Sequence, residues 1–304
     1  MNQSMRLVRI WSIILVILLL FLIFLGGFVT ASGSGLGCGP DWPTCQGSLI
    51  PPDAFHSWVE WLHRLVAAVF SIMIVVLTVL LFRIRSADYR RRVAVLRTLG
   101  VANLVLLALQ VILGAAIVKY NLLAWIVAVH MGTALILADL LVMITVLLNR
   151  AGTRPVSSSA RPALWWAFGL SGAAAILGSY IAHSGAGDAC PNLADCFTVA
   201  AWQHGSALLL LHIVSALALG VVAGGVFVRR NQLSLLPGTR FFLAFALILF
   251  GVQVVLGIFM LWTGRPTIMI AFHEPVGASI EVLLFAAAIT ENGLGEQRKI
   301  LGNM

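Results

Sequence analysis

Eight stretches of this chain, roughly 11–30, 58–82, 95–118, 122–148, 163–182, 203–228, 240–262 and 267–290, are long and almost wholly apolar. An α-helix rises about 1.5 Å per residue, so about 20 such residues cross the roughly 30 Å hydrocarbon layer of a bilayer. A chain of 304 residues that is 61% apolar and 10% charged has too few charges to cover a water-facing surface, because soluble domains carry about 25%. Secreted, fibrous and disordered classes are excluded on the same ground. The net charge of +8 does not mark a nucleic-acid binder, since the charges fall in short clusters between the apolar runs. Sorted by connecting segment, Arg6, Arg9, Arg83, Arg85, Arg90, Arg91, Arg92, Arg97, Arg150, Arg154, Arg161, Arg229, Arg230, Arg240, Arg298 and Lys299 share one side, against Lys119 and Arg265 on the other. The positive-inside rule then places both termini in the cytoplasm. The first run is longer than a signal-peptide core and lacks an A-x-A-like site before its loop, so it is expected to remain as a helix.

The two halves of the chain resemble one another. Phe28-Val-Thr-Ala-Ser-Gly-Ser-Gly-Leu-Gly-Cys38 lies over Tyr180-Ile-Ala-His-Ser-Gly-Ala-Gly-Asp-Ala-Cys190 at an offset of 152, and Gln110, Gly114 and His130 lie over Gln253, Gly257 and His273 at an offset of 143. The matched positions are Gly, Cys, Gln and His, which chance similarity between apolar helices does not explain. The expected architecture is an all-α integral membrane protein of eight transmembrane helices. They form two pseudo-symmetric four-helix bundles, residues 1–150 and 163–304, joined by a cytoplasmic linker, 151–162, of Ser, Pro and Arg. All four cysteines fall in two outside loops, Cys38 with Cys45 and Cys190 with Cys196. The spacing fits neither C-x-x-C nor C-x-x-C-H. Short disulfide-closed loops and redox-active thiols both remain open on spacing alone.

Histidine carries the chemistry. His63 and His130 in the first half match His212 and His273 in the second, and each is expected roughly 8–14 Å below the outer end of its helix. Polar side chains at that depth are costly and face a bundle interior or a partner. Two imidazoles per half fall short of the three or four ligands of a zinc site. A haem iron needs only two axial ligands, so the count suits a planar macrocycle held between facing helices.

The halves differ beside these ligands. Glu60-Trp-Leu-His63-Arg64 sets a carboxylate one turn above the ligand and a guanidinium next to it, whereas the second half has Leu209 and Ile213 there. The first half is therefore read as reactive, with Glu60 moving protons or stabilising developing charge, and the second as a structural or electron-transfer haem. Arg64 is expected to meet a haem propionate or to pair with Glu60 at i,i+4. His56, His183 and His204 are read as surface histidines near the outside loops. Asp139 and Glu281 lie deeper, as the start of a proton path or as an interhelix hydrogen bond. Gly26-Gly27 and the run Ser32 to Gly37 lack the strand and the Lys-Ser/Thr of a phosphate loop and are read as a close helix approach followed by a turn. Trp11, Trp42, Trp58, Trp61, Trp125, Trp202 and Trp262 fall near span ends, as an aromatic belt does.

Taken together, Gly-Ser-Gly-Leu-Gly-Cys38 with Trp42-Pro-Thr-Cys45, Glu60-Trp-Leu-His63-Arg64, His130, Ala189-Cys-Pro-Asn192 with Cys196, His212 and His273 resemble the haem A synthases of the Cys-containing bacterial type over nearly the whole chain. The resemblance implies oxidation of the C8 methyl of haem O to a formyl by successive hydroxylations. It implies a substrate haem O/haem A on His63 and His130, Glu60 in catalysis, a haem b on His212 and His273, and disulfides Cys38–Cys45 and Cys190–Cys196. It departs at Ala31, where relatives often carry a basic residue, and at Ile213. The expected setting is the bacterial cytoplasmic membrane with the Cys loops outside. Expected partners are membrane lipid, a haem O synthase that delivers substrate laterally and an electron donor that the residues do not specify; no nucleic acid is expected, and a homo-oligomer is compatible. The competing reading is a non-enzymatic dihaem b-type transmembrane electron carrier.

Overall fold

The computed structural model describes residues 3–40, 42–84, 90–149, 159–189, 205–264 and 266–292. They form eight α-helices: α1 (Gln3–Ala31), α2 (Phe55–Arg83), α3 (Arg90–Lys119), α4 (Ala124–Asn149), α5 (Arg161–Ser184), α6 (Ser206–Val228), α7 (Pro237–Thr263) and α8 (Thr267–Glu291), with one 3₁₀ turn, Ala186–Ala189. All eight are long and apolar enough to cross a membrane. Six of the expected spans fall inside these helices, while 122–148 and 203–228 begin two and three residues before α4 and α6; the helix ends follow local chemistry. Pro237 opens α7, where a missing N–H costs nothing. Gly185 and Gly264 end α5 and α7 in left-handed conformations, at φ 73° in both cases, which glycine adopts without steric cost.

Helices α1 to α4 close into a ring in which each packs on the next and α4 returns to α1; α5 to α8 close likewise, α8 returning to α5. Between the two rings, α1 packs on α8 and α4 packs on both α5 and α8. The first helix of each ring thus lies against the last helix of the other. Each ring is sealed toward one end. Ile74, Leu77 and Leu81 of α2 meet Leu15, Leu137, Leu141 and Ile144, while Leu164, Leu219, Leu243 and Leu284 fill the second ring. Their outward faces are also apolar, as at Ile72, Val105, Val221 and Ile248, the pattern of helices bathed in lipid.

Lipid tails are as apolar as leucine, so packing and interhelix hydrogen bonds hold such helices together. Trp11 donates to the Met73 carbonyl at 3.0 Å, Thr78 to the Gly100 carbonyl at 3.2 Å, and the Ser12 and Thr145 hydroxyls meet at 2.8 Å. Each bond of this kind stabilises by roughly 0.5–2 kcal/mol. Residues 150–158, most of the expected linker, lie outside the described residues, as do Cys190, Cys196, Trp202 and His204.

Candidate functional site

The four histidines of the repeat stand near the N-terminal ends of α2, α4, α6 and α8, about 9–12 Å along each helix from its first residue. The apolar plugs fill the other ends of the same rings, so both histidine pairs share one side of the protein. In the first ring, His63 and His130 approach closely enough to interact electrostatically. In the second, the His212 and His273 ring centres are 6.4 Å apart with planes inclined by 49°. Each of the four is half-buried.

Around His63 the chain builds a polar clamp. Glu60, one turn back on the same face of α2, is buried. Its Oε2 accepts the backbone N–H of Cys38 at 2.8 Å, and its Oε1 pairs with Arg64. Arg64 also donates to the Thr44 carbonyl at 2.8 Å. Cys38 and Cys45 form a disulfide, so both ends of this short loop are tied to the acid and base of α2. Gly37 makes this possible, since a Cβ there would overlap the His56 carbonyl. Arg64 thus realises the i,i+4 pairing expected as one of its two roles. In the second ring, Leu209 and Ile213 stand at the corresponding places, and no acid accompanies that pair on α6.

Glycine faces each imidazole. A Cβ at Gly26 would lie 3.5 Å from His63 Cε1, at Gly114 3.8 Å from His130 Cε1, at Gly178 3.0 Å from His212 Cε1 and at Gly257 3.5 Å from His273 Cε1. Gly26 and Gly178 are 152 residues apart, the offset of the Phe28–Cys38 and Tyr180–Cys190 segments, and Gly114 and Gly257 are 143 apart, the offset of His130 and His273, so the clearance is part of the repeat. His212 Nδ1 donates to the Ala174 carbonyl at 2.9 Å. A carbonyl only accepts, so Nδ1 holds the proton and Nε2 keeps a free lone pair. The Nδ1 atoms of His63, His130 and His273 are buried without a partner.

These features fit a haem. Two imidazoles bound axially at a metal–nitrogen length of about 2 Å place their ring centres about 6 Å apart, which the second pair matches. Among the described residues no group of three or more His, Cys, Asp or Glu side chains gathers to hold a bare metal ion. His63 with His130, and His212 with His273, are the residues that would hold the macrocycles.

The remaining polar residues divide clearly. His183 belongs to α5 rather than to a solvated loop: its Nδ1 donates to the Ser179 carbonyl at 2.7 Å and its Nε2 accepts from the Thr30 hydroxyl at 3.0 Å. Both nitrogens are satisfied, which removes it as a ligand and corrects the reading of a surface histidine. His56 is exposed and bonds Ser34 at 2.9 Å. Asp139 of α4 and Glu281 of α8 are buried and hydrogen-bonded to one another across the two rings. Two carboxylates can share such a bond only with a proton between them, which is the interhelix contact that was one of the two expectations for this pair. Glu274, beside His273, presses its carboxylate against Gly27, where a Cβ would lie 2.7 Å from Oε2. The sequence reading passed over Glu274, although an ionisable residue inside a span was signal enough. The glycines of α1 therefore face different neighbours: Gly26 clears His63 and Gly27 receives Glu274.

Eight helices long and apolar enough to cross a membrane define a multi-pass helical membrane protein, and it carries two histidine pairs. The family profile described as "Cytochrome oxidase assembly protein" (COX15-CtaA) matches residues 9–288, and the chain belongs to that family. It is 31% identical over 204 residues to a protein named "Heme A synthase" from Bacillus licheniformis, covering 64% of this chain and 65% of the relative. It is 32% identical over 154 residues to one of the same name from Bacillus pumilus, covering 51% and 48%. A third, from Symbiobacterium thermophilum, is 29% identical over 202 residues, covering 63% and 64%. The aligned stretches span between about half and two thirds of the length of these curated relatives.

Proposed function

We propose that this protein is a haem A synthase that oxidises the C8 methyl of haem O to a formyl by successive hydroxylations, with His63 and His130 holding the substrate. The observation that carries the reading is the asymmetry between the pairs. One has a buried carboxylate a helical turn away, held on both oxygens by Cys38 and Arg64; the other has leucine and isoleucine there. Relatives named "Heme A synthase" support the same activity.

The iron of the bound haem supplies the redox centre. With water as the oxygen source, each hydroxylation takes two electrons and two protons (R–CH3 + H2O → R–CH2OH + 2 H+ + 2 e−); the electrons would leave through the haem iron to an external acceptor, and a carboxylate within reach can take up protons and stabilise the positive charge that develops. Glu60 takes this role. Arg64 and the Cys38 amide hold its oxygens in place, so its orientation is set before substrate arrives. His212 and His273 hold a haem b that passes electrons, and the two halves are four-helix repeats related by an axis along the membrane normal. Both termini face the cytoplasm of a bacterial membrane with the Cys38–Cys45 loop outside, a reading that the distribution of basic side chains supports. Substrate arrives laterally through membrane lipid from a haem O synthase, because a farnesylated haem is too apolar to travel through water, and a separate electron partner completes the cycle.

The test separates the pairs. His212→Ala and His273→Ala variants, purified from cells that also express a haem O synthase, are expected to lose haem b and keep haem O. His63→Ala and His130→Ala are expected to do the opposite. Loss of both haem species from either set in equal measure would contradict the division of roles.

A further inference from the structure

Each ring holds a second matched pair of buried groups without partners. The amide oxygens of Gln110 on α3 and Gln253 on α7 are buried with no hydrogen-bond partner, as are Nδ1 of His130 on α4 and Nδ1 of His273 on α8. The glutamines, like the histidines, are 143 residues apart. Gln110 Nε2 donates to the His130 carbonyl at 3.0 Å. A carbonyl only accepts, so the amide nitrogen must face it and the amide oxygen is turned to a different neighbour. Gln253 takes the corresponding place: its Nε2 lies 3.1 Å from where a Cβ would stand on Gly277, one turn beyond His273. The other ligand of the second ring needs no such help, because Ala174 already accepts the His212 Nδ1 proton.

A buried N–H and a buried amide oxygen that both lack partners are costly to leave unpaired. A metal-bound histidine almost always donates its second nitrogen to an oxygen, which fixes the ring and makes it a stronger ligand. We infer that Gln110 and Gln253 are positioning residues, whose amide oxygens accept the Nδ1 protons of His130 and His273 when Nε2 of each engages a haem iron. A rotation of the imidazole about its side-chain bonds closes the contact, while the amide nitrogen of Gln110 stays on the His130 carbonyl. The assignment rests on the haem-ligand reading above. It adds that the two sites share one device for orienting the ligand from the last helix of each ring.

The test uses the full chain purified with haem b in the second ring, and reads its midpoint potential by optical redox titration together with its haem affinity. Gln253→Leu removes the acceptor; the iron ligand becomes a weaker donor, so the potential rises and haem binds about tenfold to a hundredfold more weakly. Gln253→Glu keeps an oxygen at the same reach, so its potential stays at or below that of the parent protein and its affinity recovers. Gln110→Leu and Gln110→Glu repeat the pattern for the haem held by the first ring and serve if a Gln253 variant fails to fold. Unchanged potentials, or shifts in the same direction for the Leu and Glu variants, would overturn the assignment. A parent protein without a bis-histidine haem spectrum would instead overturn the functional reading on which it stands.

Discussion

Substituting Gly178 by alanine tests the idea that the glycines clear space for iron ligands. The new Cβ would sit 3.0 Å from His212 Cε1 and 3.4 Å from its Nδ1, whereas carbon atoms pack best at about 3.5–4.0 Å. His212 must then retreat by about half an ångström, and it cannot do so freely because its Nδ1 is bonded to Ala174 at 2.9 Å. Overpacking of this kind costs about 1–3 kcal/mol. Charged to ligand geometry, that is about a 5- to 150-fold weaker haem site. The matched control is Gly114→Ala, whose Cβ would stand 3.8 Å from His130 Cε1, an ordinary contact that should leave haem binding unchanged. Titrating haem into detergent-purified protein and following the Soret band gives both affinities. Equal affinities for the two variants, or a greater loss in Gly114→Ala, would refute the argument.

Three further outcomes follow from the same geometry. Glu60→Gln should lower turnover by about 10²- to 10⁴-fold, the usual contribution of a positioned acid or base, while first-ring haem content measured on the purified protein stays near that of the parent. Arg64→Ala removes both the ion pair to Glu60 and the bond to Thr44, and should cost about 2 kcal/mol, read as an earlier thermal transition in detergent; Arg64→Lys should recover part of it. Asp139→Ala strands the buried Glu281 carboxyl and should cost about 1–3 kcal/mol in the same melt, whereas Asp139→Asn, whose amide can still donate, should stay close to the parent.

Much of this was legible before any fold was known, and the reason is the bilayer. The lipid demands long apolar helices and makes each interior polar residue conspicuous, so the spans, the four matched histidines and the buried Glu60 stood out from the sequence. What stayed hidden depends on how helices are rotated and where loops fold back. The Cys38 amide reaches Glu60 only because the loop turns at Gly37 against His56, and no spacing rule encodes that contact. Asp139 and Glu281 are one residue off the 143-residue offset, so the repeat gave no reason to pair them; their contact follows from α4 and α8 meeting between the rings. His183 looked like a loop residue because it sits near the end of its apolar run, but α5 continues through Ser184. Gly26 and Gly27 were recognised as a close approach, but their separate neighbours, His63 and Glu274, emerge only from the orientation of α1.

The most direct test of the central claim is mass spectrometry of the non-covalent haem extracted from membranes of a host that makes no haem A, expressing this chain together with a haem O synthase. The account predicts haem A or its hydroxylated precursor, and their absence from the Glu60→Gln strain. Unmodified haem O and haem B alone, from a protein whose spectrum shows two bis-histidine haems, would contradict it and identify an electron carrier on the same architecture.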